Sequence, residues 1–243
     1  MNMFRSIFKS IIYRRDVALF YAFAGLPILV PIIMSKFLVG VKAEYTDNFL
    51  DFLGAALATQ DGIVLPTLLL SLIISAVFRD EIDSGILFLY KDLNRTRLFN
   101  AKIISLVTMY ASYVLLTMLT SAIAYFGFLN ASGKVVSDDW NNVQSTLLSI
   151  FATISINVIG ILLVAMVSIK AKSLQAVLAG VFWSLFTTTA PFLIGVHYVV
   201  PNGYAQMSFN QPLLAWSLVA AITTFYIVAI YLKGRSNFEK LEF

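Results

Sequence analysis

Residues 143–169 read VQSTLLSIFATISINVIGILLVAMVSI, 27 positions without one Asp, Glu, Lys or Arg. A helix crossing about 30 Å of hydrocarbon needs roughly 20 largely apolar residues. This stretch exceeds that length, and five more stretches resemble it: 17–35, 62–78, 103–128, 174–194 and 213–232. The second is short, so the span either starts earlier, within 49–58, or sits where the bilayer thins. The longest stretch between them, 36–61, has 26 residues and leaves no room for a soluble catalytic domain. The expected fold class is therefore all-α: one polytopic membrane domain over 1–243 with six transmembrane helices.

Composition agrees. Charged residues are 12% of the chain and hydrophobic residues 59%, with a mean hydropathy of +0.85. A soluble domain usually carries about a quarter charged residues, so too few are present here to cover a water-facing surface. Disorder is excluded by the same apolar richness. Without cysteine there is no disulfide, thiolate metal site or cysteine nucleophile. The lone histidine, His197, cannot by itself supply the His clusters of zinc or haem sites.

Lysine and arginine set the orientation. Fourteen fall on one side: Arg5, Lys9, Arg14, Arg15, Arg79, Lys91, Arg95, Arg97, Lys102, Lys170, Lys172, Lys233, Arg235 and Lys240. Only Lys36, Lys42 and Lys134 fall on the other, together with Glu44, Asp47, Asp51, Asp61, Asp138 and Asp139. Both termini are expected in the cytoplasm, with the chain multi-pass in the plasma membrane. The net charge of +4 then reflects topology and calls for no nucleic-acid partner.

Ahead of the first stretch, over 1–16, Phe4, Ile7, Phe8, Ile11 and Ile12 recur at helical spacing among Arg5, Lys9, Arg14 and Arg15. This predicts an amphipathic helix lying on membrane lipid with its cations near anionic headgroups. The plainer reading is an ordinary basic leader. Its apolar stretch is longer than the 7–15-residue core of a signal peptide, so an uncleaved first span is expected.

The most informative polar stretch is 79–102, RDEIDSGILFLYKDLNRTRLFNAK. It opens on Arg79, Asp80, Glu81 and Asp83, passes Gly85, and carries a helical apolar stripe of Ile82, Ile86, Leu89 and Leu93. Arg95, Arg97 and Lys102 close it. Such a helix suits docking into a groove of a soluble partner; the alternative is a stripe lying on lipid with solvated flanks. Glu81 is expected to pair with Arg95 and Arg97.

Glu81, Gly85, Arg95 or Arg97, and Lys102, in that order and within a six-span chain, resemble the membrane subunits of type-2 ABC exporters. The usual proline-and-serine run before the basic pair is replaced here by Lys91-Asp92-Leu93-Asn94. The resemblance implies that 79–102 is a coupling helix contacting separate ATPase subunits, which would bind ATP and Mg. It also implies a second permease subunit, identical or paralogous. Small permeases of this kind often serve antimicrobial-peptide export or immunity in Gram-positive bacteria, so a toxin- or bacteriocin-like peptide is the first expectation for cargo. Lipid or drug efflux, a passive channel or facilitator, and a membrane-anchored sensor are the alternatives.

No phosphate-cradling loop is present. The nearest approach, Gly127 to Gly133-Lys134, has its glycines one residue too far apart and Val135 where a hydroxyl belongs. The chain is therefore expected to bind no cofactor or metal and not to be an enzyme. The six stretches hold no charged residue, which argues against a proton- or sodium-driven carrier. The charge-free interior also suits lipid-like, amphipathic or hydrophobic cargo. Asn157, Thr187 and Thr188 are candidates for lining a substrate path; interhelical hydrogen bonding is the plainer role for each. Between the fifth and sixth stretches, 195–212 is apolar for a loop, which points to an interfacial or re-entrant element.

Overall fold

The computed structural model describes residues 3–29, 47–83, 94–129 and 133–240. Every regular element among the described residues is helical. Four helices are long and apolar enough to cross a membrane, and a bent pair makes a fifth if counted as one span.

Helix α1 (Met3–Ile12) is the expected amphipathic segment. It lies along the helix Arg95–Ala122, burying Ile11 and setting Ile7, Phe8 and Ile12 against the main core. Helix α2 (Arg15–Ala22) runs into a 3-10 turn (Phe23–Gly25) and four more helical residues. The first expected span, 17–35, is thus described only to residue 29.

The second expected span is redrawn. Helices α3 (Phe49–Gly62) and α4 (Val64–Asp83) meet at 68° across Ile63, whose backbone is extended. Gly62 and Pro66 explain the break. In an unbroken helix the amide of residue 66 would bond the carbonyl of residue 62, but proline has no N–H and fits only a helix's first turn.

The remaining long helices are α5 (Arg95–Ala122), α6 (Trp140–Lys170), α7 (Ser173–Thr189) and α8 (Pro212–Glu239). A π turn (Ile123–Phe128) extends α5, and a 3-10 turn (Ala190–Phe192) extends α7. Helix α6 is the hub, packing along α8, α7, α4 and α3. The outward faces are apolar: Leu115, Leu119, Phe182, Leu213 and Phe225 are all exposed. A bundle with an apolar outside is at home in lipid, where close packing rather than water exclusion holds helices together. Small residues permit that packing. A Cβ on Gly180 of α7 would stand 2.1 Å from the Ser71 hydroxyl of α4 and 2.8 Å from Val164 of α6.

At the end of the bundle away from α1, Asn48 caps α3, accepting from the Asp51 amide at 2.9 Å. The Asp51 carboxylate then receives Asn142 at 3.0 Å and Thr146 at 2.5 Å, fixing the start of α3 to that of α6. The apolar stretch 195–212 forms three 3-10 turns, His197–Val199, Pro201–Tyr204 and Gln206–Phe209. The last two pack on α6 and α8. The His197 and Tyr198 rings lie 3.9 Å apart, tilted by 41°.

Candidate functional site

Two polar loci stand out in this apolar bundle. The first is at the α1 end, where α4 hands over to α5. Lys102 points from α5 back toward α4 with only 1% of its side chain exposed. Its ammonium donates to the Glu81 carboxylate at 2.6 Å and to the Val77 carbonyl at 2.8 Å, and sits 5.1 Å from the centre of the Phe78 ring. A lysine this deep is tolerable because each of these groups replaces lost water. The ion pair bridges the mouth of the 79–102 loop.

Arg95, one of the two partners expected for Glu81, also reaches the end of α8. Arg95 donates to the Glu239 carbonyl at 3.0 Å, and Thr96 and Arg235 both bond the Glu239 carboxylate, tying the start of α5 to the end of α8. The amide of Arg97 is capped by Asn94 at 3.3 Å. Arg79 pairs with Asp83 one turn away at 2.6 Å, and Asp80 faces Arg14 at 3.6 Å. Gly85, Ile86, Leu89 and Leu93 lie outside the described residues.

The second locus is the break between α3 and α4, which the sequence reading missed. Asp61 was expected in an outer loop. Instead its carboxylate lies within the bundle, accepting from the Asn157 amide at 2.9 Å. The break puts it there: α3 descends beside α6 from Asp51–Thr146 at its start to Asp61–Asn157 at its end. Beside it Gln60, 4% exposed, donates to the Phe23 carbonyl at 3.0 Å and accepts from Tyr113 at 2.9 Å and Thr117 at 3.2 Å. Asp61 and Asn157 border two adjoining clefts, each with about 20 Å³ of free space. Tyr110, Tyr113, Phe20 and Leu57 wall one cleft; Ser184, Trp183 and Ile156 wall the other. Among the described residues, Asn157 is the sole hydrogen-bond donor to Asp61, and no lysine or arginine pairs with it. The interior is not charge-free, so that argument against an ion-driven carrier, and the inference of lipid-like cargo drawn from it, lose their premise.

Asn157, read from sequence as a candidate for the path, is therefore at this locus. Thr187 and Thr188 are further along α7 and donate back to the Ser184 carbonyl of their own helix, both at 3.0 Å. Ser184 itself was not singled out in the sequence; it lines the cleft and lies 3.4 Å from the Thr67 hydroxyl. No cluster of three His, Asp or Glu able to hold a metal occurs among the described residues.

No known family matches this chain, and no curated protein sequence does.

Proposed function

We propose that the chain is the membrane-spanning permease subunit of an ATP-driven exporter. Nucleotide is hydrolysed by separate ATPase subunits, and a second permease copy completes the path. In this reading six spans cross the plasma membrane, α1 rests on the inner surface, and the 79–102 loop is the coupling element.

The observation that carries the reading is the Glu81–Lys102 clamp. A loop that relays force must be anchored at both ends, or its movement dissipates in side-chain slack. Here a buried ammonium joins the last turn of α4 to the second turn of α5. Displacement of the loop therefore moves both helices together, the kind of two-state element that a partner's nucleotide can bias. The polar locus between α3, α4, α6 and α7 lies further along the helix that the clamp holds.

The test is purification of the tagged full chain from native membranes. A stoichiometric ATP-hydrolysing partner is expected, and Leu89→Asp in the loop stripe should release it while the permease stays folded. A chain that purifies alone and passes solutes in liposomes without nucleotide would sink the proposal.

A further inference from the structure

We propose that the break between α3 and α4 is a recognition site for a single organic cation, a primary ammonium or guanidinium on an apolar stem. The inference rests on the permease reading and deepens it by naming the charge of the cargo.

Three features converge on this chemistry. Asp61 occupies the last turn of α3, where the helix's unsatisfied carbonyls give the end a partial negative charge. Carboxylate and helix end favour the same sign of ligand. Broken helices inside membranes use such ends to hold cations. Second, the carboxylate is under-used: it receives one hydrogen bond, from Asn157, and no lysine or arginine pairs with it among the described residues. A carboxylate accepts at about four lone-pair positions, so most of its capacity faces the cleft. Third, the walls choose between kinds of cation. Asp61 is the one acid among the described residues lining the clefts, which makes a poor divalent-metal site, since such ions are held by several oxygens. The clefts are otherwise aromatic and aliphatic, with Tyr110, Phe20 and Trp183 among their linings. Such surfaces gain by contact with an alkyl stem and with the face of a cation. The free space beside Asp61, about 20 Å³, admits one water-sized group, which is the size of an ammonium headgroup, and the stem then lies along the open side of the cleft.

The experiment uses the full chain alone, in nanodiscs of neutral phosphatidylcholine, with Trp140→Phe and Trp216→Phe so that Trp183 reports from the cleft wall. Dodecylammonium and dodecanol are titrated as probes. Saturable binding of the ammonium, about 10- to 100-fold tighter than of the alcohol, is expected from one charge-assisted contact. Asp61→Asn should abolish that preference while leaving the alcohol's affinity unchanged, which also shows that the variant is folded. Asp61→Glu should keep the preference within a few-fold. Equal affinities for the two probes in the parent protein, or an unaltered preference in Asp61→Asn, would overturn the site. No ATPase is present in this assay, so failure of the cation site and failure of the exporter reading are seen separately.

Discussion

Lys102 shows how one side chain can be costly to bury and still hold two helices in register. Its ammonium is all but sealed, whereas Glu81 keeps 31% of its side chain exposed. The two halves of the pair are therefore unequal. Removing the carboxylate strands a buried cation; removing the lysine leaves an acid that water can reach. Losing one partner of a buried pair costs about 3–5 kcal/mol, and an exposed pair is worth about 0–1 kcal/mol. Glu81→Gln is thus expected to lose 2 kcal/mol or more, roughly, and Lys102→Met clearly less. The reciprocal exchange Glu81→Lys with Lys102→Glu should recover little, since it puts the longer side chain at the exposed position. Thermal unfolding in detergent reads all three. Equal losses from the two single variants would contradict the asymmetry.

Among the elements, α4 and α7 meet more closely than any added atom allows. Gly180→Ala places a methyl 2.1 Å from the Ser71 hydroxyl, so the helices must separate or Ser71 must leave its position. Overpacking of this kind costs about 1–3 kcal/mol. In a chain of this length that corresponds to a drop in Tm of about 2–4 °C per kcal/mol. Adding Ser71→Gly should return part of the loss, because Val164 still stands 2.8 Å from the new methyl. A Gly180→Ala protein with an unchanged Tm would mean that the two helices have room to spare.

The long helices α5 to α8 were legible in the sequence because charge-free runs of 20 or more residues have few other uses. The broken helix was legible only in part. Gly62 and Pro66 mark it, but a search for charge-free windows pushes every charged residue to a boundary, and so Asp61 was assigned to a loop. Sequence order alone offers Glu81 three cations, Arg95, Arg97 and Lys102. The antiparallel return of α5 beside α4 brings residue 102 opposite residue 81. Arg95 meets Glu239 across a separation in sequence of 144 residues, which no local pattern reveals.

At the scale of the whole molecule, the two ends differ in kind. The α1 end gathers Arg14, Arg79, Lys102 and Arg235, each beside an acid, and Arg95; the opposite end carries Asp51, Asp138 and Asp139, with Lys134 paired to Asp138. The positive-inside rule predicts a cytoplasmic α1 end. Single cysteines in this cysteine-free chain test the assignment. Asp138→Cys should react with an impermeant maleimide in intact cells, and Asn94→Cys only after the membrane is opened. The reverse pattern would invert the topology.

The order of synthesis gives the Asp61 site a history of its own. Glu81 and Lys102 are 21 residues apart, but Asn157 follows Asp61 by 96. At about 5–20 residues per second, the clamp can close within roughly one to four seconds of Glu81 leaving the ribosome. Asp61 waits about 5–20 s for Asn157, its hydrogen-bond donor among the described residues. A membrane-centred aspartate costs about 2.5–3.5 kcal/mol on insertion scales. Until α6 arrives, the growing chain must carry that penalty on the first half of the bundle. The carboxylate is therefore satisfied well after the clamp has closed, and the walls supplied by α7 arrive later still.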